Sequence, residues 1–184
     1  MLNIRDRTTL MNHVNDGERV KYLFFWGHTP RRDALIGKEC LSQWYAAPFT
    51  LEGQLYPTAE HYMMAEKARL FKDDKLLPQI LAARSPAEAK QLGRSIRNFD
   101  DETWNQQRFD IVVAGNQAKF SQHEALGEFL RNTSQRILVE ASPKDRIWGI
   151  GLAANDPRAE NPNLWKGLNL LGFALMEVRG RLLG

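Results

Sequence analysis

With 184 residues, 43% of them hydrophobic and 26% charged, the chain is long enough for one domain with a substantial core. A net charge of +3 with a pI near 9.1 favours anionic partners such as phosphates and is too weak to argue for a protein that coats nucleic acid. One cysteine, Cys40, leaves no disulfide framework and no cysteine-based metal site. The sequence has no signal-peptide pattern and no run of ~18 apolar residues, so a cytoplasmic protein away from membranes is expected.

Residues 1–19 are polar, with Asn15-Asp16-Gly17 as a turn, and read as an unassigned N-terminal extension. Val20 to Trp26, "VKYLFFW", is rich in β-formers and predicts a strand, followed by a loop, "GHTPRRDALIG". Phe49 to Tyr56 predicts a hairpin turning at Glu52-Gly53. After Pro57 the chain turns helical, with Thr58 as cap. Ser85-Pro86-Ala87-Glu88 carries a capping box and an N1 proline, and its helix should end near Gly93. Asp100 and Asp101 open a helix running toward Phe120, and another spans about His123 to Arg131. "RILVEAS" reads as a short strand or extended segment. Gly149 to Gly167 reads as a long irregular loop, and Asn169 as the cap of a last helix whose Leu171, Leu175, Val178 and Leu182 share a line. The expected fold is a single mainly helical domain over residues 20–184 with a small β element near its start.

Two motif matches fail on context. Gly149 to Ala154 fits G-x-G-x-x-A, but the "NDPRAENPN" that follows cannot form the required helix. His123-Glu124 lacks the second histidine of H-E-x-x-H, because Gly127 holds the fifth position. No metal and no cofactor is expected.

The helix after Pro57 carries the clearest anomaly. At ~100° per residue, Glu60, Met64, Lys67 and Phe71 share one line, opposite Glu66, Arg69 and Asp73. A carboxylate and an amine therefore occupy the stripe that should be buried. Unpaired burial of either is costly, so they form a structural ion pair or line a cleft. Glu60 lies in the first turn, where free N–H groups and the helix dipole favour an anion, and Lys67 follows ~10 Å along the axis, a span that suits a ribose phosphate. Trp104 reads as core or as a stacking platform for a planar base, while Arg94, Arg97 and Arg108 read as a charged face or as phosphate contacts. In "EASPKDRIWGIGL", Glu140 to Leu152, Asp145 reads as a turn residue or as a second carboxylate. Trp148 borders it, and Gly149 and Gly151 allow a ligand to approach the backbone.

Together these stretches resemble the NADAR, or YbiA-like, family. The matching pieces, in family order, are "FFWG" at Phe24, "YPTAEHYMMAEKA" at Tyr56, "LGR" at Leu92, "FDDETW" at Phe99, "KFSQ" at Lys119, "EASPKDRIWGIGL" at Glu140 and "WKGLNLLGFALMEVR" at Trp165. They span nearly the whole chain after about residue 20, and residues 1–19 have no counterpart in them.

The resemblance implies a mainly helical, orthogonal YbiA-like fold with a few short strands. It implies an N-glycosidase acting either on ribosylaminopyrimidine phosphates of riboflavin biosynthesis or on ADP-ribosylated guanine, including guanine in nucleic acid. The family's motif glutamate falls on Glu60, its lysine on Lys67, its tryptophan on Trp104 and its aspartate before W-G on Asp145. One departure stands in "LSQWYAAPF", where Gln43 and Trp44 replace the Asn and Phe of many members, in a segment that borders the ligand. Glu60, Lys67 and Asp145 are thus the expected catalytic residues, with Trp104, Trp44, Gln43, Arg94, Trp148 and Gly149 around the substrate. A non-catalytic reader of ADP-ribose or an NAD-related nucleotide is the alternative.

Overall fold

The computed structural model describes residues 4–30, 32 and 35–184, so part of the loop expected after Trp26 lies outside the described residues. The fold is mainly helical with a few short strands, as expected, and the chain forms two compact units, residues 1–42 with 125–184, and residues 43–124.

In the first unit, β1 (Tyr22–Phe25) pairs in parallel with β4 (Ile137–Glu140), in register Tyr22↔Ile137 through Phe25↔Glu140. Ile137, Leu138 and Val139 are all fully buried, the continuous apolar run of a strand covered on both faces. The "RILVEAS" segment is therefore a strand, and the expected first strand is shorter than Val20–Trp26. α6 (Glu124–Asn132) precedes β4, and α7 (Leu170–Leu183) follows the long loop and packs on β4. Gly172 makes that contact possible, since a Cβ there would lie 2.0 Å from the carbonyl oxygen of Leu138.

One expectation in this unit is corrected. Asn169 does not cap α7. It sits in the left-handed region at φ 57°, and its side chain bridges instead to β4, accepting from Glu140 N–H at 2.9 Å and donating to Leu138 O at 2.9 Å. The N-terminal extension, left unassigned from the sequence, holds a helix. α1 (Arg7–Asn15) is capped by Asp6, buries Leu10 completely, and sends Arg7 Nε to Pro162 O at 2.9 Å. A single buried leucine in nine polar-rich residues leaves too little periodicity to predict it.

In the second unit, β2 (Phe49–Leu51) and β3 (Gln54–Tyr56) form the expected hairpin. Its turn residues Glu52 and Gly53 both have positive φ, 51° and 77°, as a two-residue primed turn requires. α2 (Ala59–Leu70) starts at Thr58, whose Oγ1 accepts from His61 N–H. α3 (Leu77–Leu81), a short turn of helix, was not predicted. α4 (Pro86–Gly93) starts at Ser85, with Glu88 reaching back to Arg84 N–H at 2.7 Å. α5 (Asp101–Gln122) is capped by Asp100. Two glycines seat α2: Gly93 of α4 against Met64, and Gly115 of α5 against the Tyr62 ring. Phe49, Tyr56 and Tyr62 close an aromatic cluster with centroids 5.1–6.0 Å apart.

Asp73 departs from its expected place on a solvent face. α2 ends at Leu70, Lys72 turns the chain at φ 55°, and the Asp73 carboxylate becomes buried. It accepts from Arg97 N, Nε and Nη2 and from Leu76 N, which holds its carboxyl well below the usual carboxylate range. Arg97 is thereby committed to this lock rather than to phosphate. Among the described residues no helix is long and apolar enough to cross a membrane.

Candidate functional site

The anomalous stripe of α2 does face inward. Glu60 is 2% exposed, Met64 6% and Phe71 7%, and Lys67 is half-buried. Glu60 is the second helical residue, so its N–H has no partner within the helix. Gln43 O accepts that bond at 3.0 Å. Gln43 is thereby fixed beside Glu60 although 17 positions separate them in the chain.

Lys67 Nζ donates to Gly93 O at 2.9 Å and lies 4.2 Å from the Phe99 ring centroid and 5.6 Å from that of Trp104. Burial lowers its pKa from the ordinary lysine value, and the charges of Asp101 and Glu60 oppose that shift. Glu60 and Lys67 are therefore electrostatically coupled, with the amine held against two aromatic faces. Trp104 is buried at 8% exposure, and Phe99 is exposed at 39% and stacks edge-on to Phe71. Arg94 is exposed at the C-terminal end of α4, immediately after the carbonyl that receives Lys67. Trp44 is half-buried, 5.9 Å from Lys90 Nζ.

His61, between Glu60 and Tyr62, has a different task. Its Nε2 lies 3.0 Å from Ala83 O, which can only accept, so Nε2 carries the proton. Nδ1 then accepts from the Thr58 hydroxyl at 2.8 Å. Both ring nitrogens are committed to the neutral tautomer, and burial lowers the pKa accordingly. The histidine ties the start of α2 to the end of α3.

Asp145, Trp148 and Gly149 lie in one loop of the first unit. Asp145 Oδ1 accepts from the N–H groups of Ile147 at 2.9 Å, Trp148 at 2.7 Å and, more weakly, Gly149 at 3.4 Å. That oxygen organises the loop. Gly149 is dictated by packing, since a Cβ would lie 2.9 Å from Glu140 O and 3.1 Å from Asp145 O. Trp148 is half-buried.

Sequence reasoning missed Phe99 as a partner of Lys67, and it missed a second polar stripe on α5. Asn116 and Lys119, three apart on one face, are both completely buried. Asn116 Nδ2 donates to Gln43 Oε1 at 2.7 Å, and Lys119 Nζ lies 5.6 Å from the Tyr45 ring. The available signal was Asn116 at the end of the apolar run Ile111 to Gly115, with Lys119 three residues on.

The NADAR domain model matches residues 24–183. An N-glycosidase of Acanthamoeba polyphaga mimivirus is 42% identical over 167 residues, covering 88% of this chain and 96% of that protein. N-glycosidase YbiA of Escherichia coli is 33% identical over 141 residues, covering 77% of this chain and 79% of its own. An N-glycosidase of Nostoc punctiforme is 34% identical over 140 residues, covering 76% and 83%. The NMR structure of the Escherichia coli protein YbiA superposes with a TM-score of 0.69 at 27% identity, covering 90% of this chain and 86% of that one. A match over most of the chain, in sequence and in fold, places this protein in the NADAR domain family.

Proposed function

We propose that the protein is an N-glycosidase that hydrolyses the bond between a ribosyl carbon and a nitrogenous base. Its substrate is either a ribosylaminopyrimidine phosphate of riboflavin biosynthesis or an ADP-ribosylated guanine. The observation that carries the reading is the coupled pair on α2, a buried carboxylate and a lysine whose pKa burial has lowered, beside Phe99 and Trp104. The N-glycosidase names of relatives up to 42% identical support it.

Cleavage builds positive charge on the anomeric carbon while the base leaves as an anion that needs a proton. Glu60 is the group that manages that proton. Lys67 takes the sugar side. A lowered pKa enlarges its neutral fraction, and a neutral amine attacks the anomeric carbon. The C–N bond to the base breaks, the base accepts a proton, and ring opening leaves a Schiff base. Water then hydrolyses it and returns the free amine. Trp104 and Phe99 provide the apolar wall for the base. Asp145 has a narrower role than a second acid–base group, because one of its oxygens already holds three backbone N–H groups. It fixes the loop that carries Trp148.

The test is product analysis by chromatography on both substrate classes. Glu60→Gln is expected to lower release of free base by ~10²–10⁴-fold while ligand binding persists. Wild-type turnover in that variant ends the proposal for Glu60. A thermal shift with ligand but no product from the wild-type protein selects a non-catalytic reader instead.

A further inference from the structure

The amide of Gln43 has its polarity fixed from a distance. Asn116 is completely buried, and one atom of its side-chain amide lies 2.9 Å from Val112 O and 2.7 Å from the Gln43 amide. A backbone carbonyl only accepts, so the Asn116 atom facing it is Nδ2. The Gln43 atom it also meets is therefore Oε1. That leaves Gln43 Nε2 as the far end of the amide, turned away from Asn116, in a residue only 6% exposed. Nε2 finds no acceptor among the described residues. The main chain of Gln43 is pinned as well, through its carbonyl to Glu60 N–H.

A buried donor without an acceptor costs about 1–3 kcal/mol, and here two bonds on Oε1 and the backbone carbonyl keep it from rotating to a better place. Such a group is matched to a partner that comes and goes. We propose that Gln43 Nε2 is a recognition donor for a sugar oxygen of the substrate, and that Asn116 is the positioning residue that fixes its direction. The assignment of the ligand as ribosyl rests on the glycosidase reading above. The buried, unpartnered donor on the residue whose carbonyl holds Glu60 N–H does not.

This gives a reason for glutamine at position 43. A shorter amide on the same backbone would not span from the start of α2 to Asn116 and still present a donor beyond it. It also explains why an asparagine occupies the interior of α5. Nδ2 spends one proton on Val112 O, as a helical asparagine commonly does toward the preceding turn, and the other on Gln43.

The test is a calorimetric titration of the purified full chain with ADP-ribose and with ribose 5-phosphate, the sugar products of the two substrate classes. Gln43→Glu keeps the oxygen that Asn116 binds and replaces the donor with an acceptor, at the cost of a buried carboxylate, so circular dichroism checks that the variant folds. Gln43→Met removes the polarity without adding charge. Both are expected to weaken binding of the sugar phosphate by ~10-fold or more, and Gln43→Met, which adds no buried charge, keeps the test decisive where Gln43→Glu fails to fold. Asn116→Leu is expected to weaken binding similarly, and to cost nothing further when Gln43 is already Met. A purely structural Asn116 would instead give additive losses. Unchanged affinity in Gln43→Glu and Gln43→Met, or no binding of either probe by wild type, overturns the proposal. Weakened binding in the variants of a wild-type protein that never turns over upholds the donor while removing the glycosidase reading.

Discussion

Gly172→Ala tests how α7 is held to the sheet. A Cβ at this position would lie 2.0 Å from Leu138 O, 2.5 Å from Asn169 Nδ2 and 2.7 Å from Asn169 Oδ1, where real Cβ contacts stay beyond 3.0 Å. Neither neighbour is free to yield. Leu138 is in the β4 ladder opposite Leu23, and Asn169 spends both amide atoms on β4. The helix start must therefore withdraw by roughly 1 Å, an overpacking response that costs about 1–3 kcal/mol. Withdrawal also breaks the two Asn169 bonds, at about 1 kcal/mol each. Alanine returns about 1 kcal/mol in helix propensity. The net loss is about 2–4 kcal/mol. In a chain of this size each kcal/mol moves the midpoint by about 2–4 °C, so Tm should fall by ~5–15 °C. Scanning calorimetry at one pH, with circular dichroism to confirm the fold, reads this directly. A midpoint within ~2 °C of wild type would refute the argument that Leu138 O and Asn169 fix the approach of α7.

Two pH-dependent predictions follow from the buried bases. His61 has a native pKa below its ordinary 6.5, so as pH falls through that value the unfolded chain takes up a proton that the native chain refuses. Stability should therefore drop as pH falls below about 6.5, and His61→Gln should reduce that drop in calorimetry even though it is less stable at neutral pH. Lys67 likewise has a native pKa below 10.5, so its burial opposes folding at neutral pH and the penalty fades as pH rises toward 10.5. The stability of Lys67→Met relative to wild type should then be highest near neutral pH and decline as pH rises, and an opposite slope contradicts the burial argument. Borohydride should trap a ribosyl adduct on Lys67 more efficiently as pH climbs through its lowered pKa. Repeated failure with turning-over enzyme assigns the lysine to binding instead.

Caps and turns made most of the helices legible. Thr58, Ser85 and Asp100 each accept a backbone N–H three residues on, a local rule that needs no tertiary information. The hairpin at Glu52-Gly53 was legible for the same reason. α1 and α3 were not, because each is short and buries one aliphatic side chain, Leu10 and Ile80. Asn169 misled because the residue type that caps helices also tolerates positive φ, and here a strand edge competed successfully for its amide.

The candidate site divides along the same line. Glu60 and Lys67 stood out because both belong to one helix, where a charge in an apolar stripe is visible from spacing alone. Gln43 and Asn116 are 73 positions apart, and only the fold puts their amides 2.7 Å from each other. A polar residue on an apolar face is ambiguous until its partner is known, and periodicity never supplies a partner from another element. The α5 stripe carried the same kind of anomaly as the α2 stripe, a buried amide and a buried lysine three residues apart. It escaped notice because asparagine is uncharged and Lys119 lies near the helix end, where a lysine is ordinarily solvated and favours the dipole. Polar residues at core spacing on two helices of one unit therefore call for the same question, namely which neighbour each one was placed to hold. On the function proposed above, α2 holds a sugar and a leaving base, and α5 holds the amide that directs Gln43 toward the sugar.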